Sequence, residues 1–203
     1  LTNIVNVRQE VELSTLVGSG TTWANTTSLT STFAWSANTT LSDPLLFADS
    51  AASVIARSAG VLPNKCLIND PTFRAVKEHV SIVDRIKYTS AQSVGEDLIA
   101  KLFGVDKLLV GRGIRNTGAE GLADATTNSF IWTDLALFVH APTSVGLMKP
   151  SAFYNFTLKQ GNPVSVKKWR EDDLGGDMIE VSKMYQQVVP MSAAGYLIND
   201  TVQ

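Results

Sequence analysis

Four glycines, Gly111, Gly113, Gly118 and Gly121, follow the apolar run KLLV and are the first candidate for chemistry. Glycines placed after a strand let backbone amides approach an anion, the device of phosphate-binding loops. The segment LVGRGIRNTG has the first two glycines of a dinucleotide fingerprint but Asn116 where the third belongs, and no Gly-Lys-Ser/Thr follows. Nucleotide binding by a small α/β enzyme or ligand-binding domain through the Gly111 to Gly121 loop therefore stands as the alternative reading, not the leading one. His79 and His140 are the only imidazoles, far apart in sequence, and neither has a second ligand at metal-binding spacing. A Ser or Cys nucleophile would need one of them as its base, and no nucleophile-elbow sequence is present. Glu171, Asp172, Asp173 and Asp177 are enough carboxylates for calcium but lack a calcium-loop pattern, and read as a solvated turn. Arg85, Lys87, Arg112 and Arg115 read first as solvated charges and second as contacts to an acidic neighbour. The expected catalytic, cofactor and metal residues are accordingly none.

Composition narrows the class further. The chain has 203 residues, 44% hydrophobic and 18% charged, enough for one substantial core or two small ones. Its formal net charge of -2 gives no basic stripe with which to grip nucleic acid. The single cysteine, Cys66, sits in the apolar run KCLIN and is expected to pack as a small hydrophobe. No apolar run approaches a membrane span and no signal-peptide pattern is present, so no membrane partner is expected. The sequons at Asn25, Asn38, Asn155 and Asn199 carry little weight in a Ser- and Thr-rich chain with no other sign of secretion. With no Met at its start, the chain is expected to be a C-terminal piece of a longer protein.

The elements that must position these residues are legible from caps and periodicity. Thr2 to Val17 predicts a helix with two apolar stripes, Ile4, Val7 and Val11 on one side and Val5, Leu13, Leu16 and Val17 on the other, as for a helix lying between two surfaces. Gly18 to Thr40 predicts loop with one or two short strands, pinned by Trp23, Leu29, Phe33 and Trp35. Asp43-Pro44 opens a helix that Gly60 ends. A strand, Cys66 to Ile68, leads into a second helix begun by Asp70-Pro71, and a short helical segment, Ile82 to Ile86, follows. Ser93-Val-Gly-Glu96 has capping-box spacing ahead of a helix that Gly104 stops, and Lys107 to Val110 is the next strand. From Phe130 the period moves toward two, predicting strands over Leu135 to Val139, Phe153 to Leu158, Val164 to Trp169 and Met178 to Val189, with Gly175-Gly176 as the turn of an extended hairpin.

Taken in order, WSANTTLSDP, AGVLPNKCLIND, HVSIVDRIKYT, LIAKLFGVDKLLVGRG, IRNTGAEG and FIWTDLALFVHAP resemble the major capsid proteins of tailed bacteriophages or prophages with the Hong Kong phage-type fold. The resemblance covers about Trp35 to Pro142, and more weakly the flanks. It implies an α+β fold in which 44–141 form an axial α/β domain. Residues 1–43 and 142–203 then form a peripheral domain of a spine helix, 2–17, and an elongated antiparallel sheet. It also implies a non-enzymatic shell subunit, found in the virion capsid and assembled in the bacterial cytoplasm. Its partners would be further copies of itself in pentamers and hexamers, scaffold, portal and head-completion proteins, and packaged double-stranded DNA touched without sequence preference. The N-terminal arm and extended hairpin of that family have no counterpart in this sequence, and its crosslinking residues find no match. Candidate assembly contacts are Arg8 and Glu12 on the first helix, Lys87, Tyr88 and Gln92 in one loop, and Arg115, Asn116 and Glu120 in another.

Overall fold

The computed structural model describes residues 1–87, 94–118, 128–144, 146, 148–157, 164–173 and 175–202. The chain is α+β, as the sequence predicts. A first helix, α1 (Thr2–Gly18), is followed by a short strand, β1 (Asn25–Ser28), within the Thr-rich segment, and by two 3-10 turns, Trp35–Ala37 and Thr40–Ser42. Helix α2 (Pro44–Ala59) begins where Asp43 accepts the Leu45 amide at 3.0 Å and ends at Gly60, whose φ of 68° is the left-handed conformation a Cβ disfavours.

Strand β2 (Lys65–Asn69) then passes into α3 (Asp70–Glu78) and α4 (Val80–Ile86). The start of α3 corrects an expectation: the N-cap is Asn69, whose carbonyl oxygen accepts the Thr72 amide at 3.1 Å. Asp70 is thereby free to engage arginines instead of the helix backbone. Helix α5 (Glu96–Leu102) also begins differently from the expected capping box. Gly95 is its N-cap, which places Glu96 at the first helical position, while Ser93 lies outside the described residues. Gly104, at φ 68°, stops the helix as expected.

Strand β3 (Lys107–Gly111) runs parallel to β2, and a small hairpin follows, β4 (Ile114–Asn116) paired with β5 (Asn128–Phe130). Strand β6 (Leu135–Val139) pairs antiparallel with β2. The later strands are β7 (Tyr154–Thr157), β8 (Val164–Glu171), β9 (Gly176–Lys183), β10 (Tyr185–Val188) and β11 (Gly195–Asn199). The expected Met178 to Val189 strand is two strands broken at Met184: β9 pairs with β8 in the extended hairpin, while β10 pairs with β7. Leu158, the expected end of β7, lies outside the described residues.

A five-stranded mixed sheet, in the order β1-β11-β6-β2-β3, organises the core. Strand alternation sends Cys66, Ile68, Ala136, Phe138 and Ile198 to one face, where α2 to α5 cover them with Leu45, Ala51, Ile55, Val76, Ile82, Ile99 and Phe103. Leu67, Leu135, Leu137 and Leu197 face the other side, which is covered by Val17, Trp23, Ile131 and Trp132. Two of the sheet strands, β1 and β11, come from outside 44–141, so the sheet draws on both sides of the expected division into axial and peripheral segments.

The first helix is covered mainly on one side. Val17 is buried, and Val11 and Leu13 pack on the second cluster, whereas Ile4 and Val7 stay exposed at 68% and 39%. Polar contacts complete its docking: Lys183 donates to Asn6 and Gln9, and the Gln187 amide donates to the Gln9 carbonyl at 3.2 Å. The expected two stripes are therefore not kept apart: Val11 of the first packs with Leu13 and Val17 of the second, and only Ile4 and Val7 face outward.

Candidate assembly surfaces

The glycine loop is filled by protein. A Cβ on Gly111 would stand 2.4 Å from the Trp132 ring, and one on Gly113 would stand 2.8 Å from Glu10 Oε1. These glycines admit an indole and a carboxylate at close range, so the second face of the sheet can be sealed beneath α1. The Trp132 Nε1–H donates to Glu10 Oε1 at 2.8 Å, joining the two. A carboxylate at that point opposes phosphate binding. Downstream, the Asn116 side-chain oxygen takes the Gly118 amide at 2.8 Å. Gly121 lies outside the described residues. The phosphate-loop alternative thus loses its cradle at Gly111 and Gly113.

His79 is 1% exposed and holds a serine at each nitrogen. Nε2 lies 3.0 Å from Ser42 Oγ, and Nδ1 lies 2.6 Å from Ser81 Oγ while accepting the Ser81 amide at 3.3 Å. A serine and a histidine do meet, but both are buried and the imidazole serves as the N-cap of α4. His140 donates from Nδ1 to the Leu62 carbonyl at 2.7 Å. Among the described residues no group of three or more His, Cys, Asp or Glu side chains is placed to hold a metal. Cys66 is fully buried between sheet and helices, and burial pushes its thiol far up from the ordinary range.

Arg112 corrects the expectation of a solvated charge. It donates to Asp70 at 3.1 Å and to Glu96 at 2.8 Å, and its guanidinium lies 5.8 Å from the Phe73 ring centroid, clamping α3 to α5. Arg74 reaches Asp70 from the opposite side at 2.8 Å. Burial pushes the Asp70 carboxyl up, but hydrogen bonds from Arg112 and Arg74 outweigh it and hold the group below its ordinary value.

The expected contact residues fall into separate surface regions. Arg8 and Glu12 form an ion pair at 3.3 Å on α1, beside a groove of about 890 Å³ bounded by Val5, Phe156, Val181 and Tyr185. The Tyr185 hydroxyl donates to Glu12, and this bond chiefly, with help from Arg8 and against partial burial, lowers the Glu12 carboxyl. The same bond raises the tyrosine hydroxyl. Arg115 and Asn116 are neighbours on β4, opposite Ser129 and Asn128 of β5. Lys87 follows the last turn of α4. Tyr88, Gln92 and Glu120 lie outside the described residues.

Sequence reasoning missed the exposed apolar side chains beside these polar ones. The cross-strand pair Ile114 and Phe130 is exposed at 56% and 42%. The β8–β9 hairpin carries Val166 and Ile179 on one face and the pair Trp169 and Met178 on the other, all exposed. Alternation predicted these strands, yet nothing in a single strand's sequence says that neither face meets the chain's own core. At the turn, Lys168 and Arg170 of β8 pair with Asp177 of β9 at 3.0 and 3.9 Å, and Arg170 also reaches Asp172 at 3.5 Å, so two of the four acidic residues are met by cations of the hairpin itself.

Exposed apolar side chains thus lie on two ribbons and a helix, while His79, Gly111 and Gly113 are engaged in internal packing. The chain's fold is that of a crystal structure of a phage-related protein from Bordetella bronchiseptica RB50, with a TM-score of 0.83 at 24% identity over 98% of this chain and 64% of that one. In sequence it is similar to the major capsid protein of Burkholderia phage BcepMu, 25% identical over 162 residues. That match takes in 78% of this chain and 50% of the relative, so the chain spans about half the length of the curated relative it matches. No family model matches the chain. The resemblance to phage major capsid proteins is therefore present in sequence, and the fold is shared with a phage-related protein.

Proposed function

We propose that this chain is a structural, non-enzymatic subunit of a tailed-phage or prophage icosahedral capsid. It self-associates into pentamers and hexamers that enclose double-stranded DNA. The observation that carries this reading is the similarity to the BcepMu major capsid protein across most of the chain, joined to the fold match with a phage-related protein. The spread of exposed apolar residues supports it. Closed shells need several heterologous interfaces, each repeated, and so distribute their important residues over surfaces rather than gathering them in a pocket.

In this reading the body centred on the five-stranded sheet and α2 to α5 is the axial part of a Hong Kong phage-type fold. Helix α1, the spine, with the β7–β10 and β8–β9 ribbons forms the peripheral part. The Arg8 and Glu12 groove, Lys87 with Tyr88 and Gln92, and the loop bearing Arg115, Asn116 and Glu120 are its contact sites. Scaffold, portal and head-completion proteins are further partners. The subunit resides in the virion after assembly in the bacterial cytoplasm. Among the described residues no helix is long and apolar enough to cross a membrane.

The test is electron microscopy of the expressed gene product across salt and crowding conditions. Capsomer rings or closed shells are expected, and the pair of changes Arg8→Glu and Glu12→Arg, made singly, should reduce them while leaving the subunit folded. Monomers under every condition would overturn the proposal.

A further inference from the structure

The buried network around His79 includes one bond that requires an unprotonated ring nitrogen. A backbone amide can only donate, so the Ser81 N–H pointing at Nδ1 requires that nitrogen to be an acceptor. The ring proton then resides on Nε2 and is given to Ser42 Oγ. Ser42 Oγ also accepts the Thr39 amide at 2.9 Å, lies 3.3 Å from the Thr39 hydroxyl, and donates its own hydrogen to the Thr39 carbonyl at 3.0 Å. The Ser81 hydroxyl, 2.6 Å away, shares the single lone pair of Nδ1 with the amide.

This neutral ring ties two parts of the fold together. On one side are the 3-10 turn ending at Ser42 and the start of α2, and on the other is α4, for which His79 is the cap. A proton added at Nδ1 would turn to the Ser81 hydroxyl and leave the Ser81 N–H without its acceptor, removing the cap of α4. It would also place a charge at a site that is 1% exposed. Asp43, the N-cap of α2, is the ionisable group whose charge reaches the ring. Of the other charged side chains on the flanking helices, Asp49 and Arg57 of α2, Arg74, Lys77 and Glu78 of α3, and Asp84, Arg85 and Lys87 on or just after α4 are exposed, while Asp70 of α3 is buried in its ion pairs with Arg74 and Arg112.

We infer that His79 is a proton-operated latch: as a neutral imidazole it fastens α4 to the start of α2, and protonation releases α4. The direction of titration agrees, since burial holds the ring below its ordinary value of 6.5 against the pull of Asp43. For a histidine kept neutral in the closed state, the contribution is fully present above 6.5. It is lost progressively as pH falls below that value toward the lower value of the closed ring. The segment released leads directly into Tyr88 and Gln92, so the latch would act on one of the proposed contact loops without depending on shell formation itself.

Amide hydrogen exchange across 80–87, corrected for the intrinsic pH dependence and referenced to α2, tests this on the intact chain. Opening of α4 should rise by up to about tenfold for each pH unit below 6.5 and then level off. His79→Asn retains a capping acceptor without a titrating ring, and should make α4 opening independent of pH over that range. The same pH-dependent opening in His79→Asn would overturn the latch. If that variant does not fold, ring NMR of the unsubstituted protein decides. A neutral-pH ring with its proton on Nε2 and a titration displaced below 6.5 is expected; a proton on Nδ1, or titration at 6.5 with α4 still protected, would overturn it.

Discussion

Gly111→Ala separates a packing role for the glycine loop from an anion-binding one by the sign of a stability change. Gly111 does not have positive φ, so alanine brings no backbone strain. Taken alone the change should stabilise by about 0.4 to 1 kcal/mol, because it restricts the unfolded chain. The structure reverses that sign. The new Cβ would meet Trp132 atoms at 2.4, 2.6 and 2.9 Å, against an ordinary contact of about 3.5 to 4.0 Å. The buried indole must retreat by about 1 Å, and such overpacking costs roughly 1 to 3 kcal/mol. Retreat also weakens the bond from Trp132 to Glu10, worth about 1 kcal/mol more at a half-buried carboxylate. The net expectation is a loss of roughly 2 to 3 kcal/mol.

Urea unfolding followed by tryptophan fluorescence measures this, and a double-mutant cycle isolates the cause. In a Trp132→Ala background the obstructing ring is gone, so Gly111→Ala should there be neutral or stabilising by about 0.5 kcal/mol. A stabilising Gly111→Ala in the unmodified chain, or a coupling energy below about 0.5 kcal/mol, would refute the claim that Trp132 occupies the glycine cradle.

Two further expectations use the same measurement. Gly60 and Gly104 both have φ of 68° with open space where a Cβ would stand, so Gly60→Ala and Gly104→Ala should each cost about 1 kcal/mol through backbone alone. Asparagine should recover part of that loss, and no loss in either alanine variant would contradict the assigned left-handed caps. Asp70 has its carboxyl lowered from 3.8, so its contribution is fully present above that value and is lost as pH falls through the lower folded-state value. The stability gap between the unmodified chain and Asp70→Asn should therefore close as unfolding midpoints are followed downward from 3.8; a gap that stays constant in acid would exclude the ion-paired carboxylate.

Local signals carried most of the fold that the sequence revealed. Asp43-Pro44 and the paired stops Gly60 and Gly104 act through the first and last helical turns, where one side chain or one missing Cβ decides the outcome. The two places where this logic slipped have a common cause. Asn69 and Asp70 are both competent caps, and the choice between them follows from two arginines that approach Asp70, one of them from 42 residues away. Likewise Glu96 is drawn to Arg112 rather than folding back on its own helix. Strand β11 escaped notice because GYLIN is short and follows no turn signal stronger than its own glycine. Gly195 is there because a Cβ would stand 2.3 Å from Trp23, a contact made across 172 residues of sequence.

The surfaces were the least legible part, for a physical reason. A buried apolar residue and one awaiting a neighbour have the same sequence, since both satisfy the alternation of a strand. Val166 and Ile179 alternate as well as Cys66 and Ile68 do, yet the first pair lies open and the second is sealed under four helices. What separates them is the partner on the far side of the ribbon. An isolated two-stranded ribbon is at best marginal in water, and this one has apolar residues on both faces. Under the proposed function, neighbouring subunits would supply the missing layers. In the proposed shell, the aromatic and β-branched residues of the hairpin would complete a core only on assembly, so changing Trp169 and Ile179 to Ser should impair assembly more than it destabilises the isolated subunit.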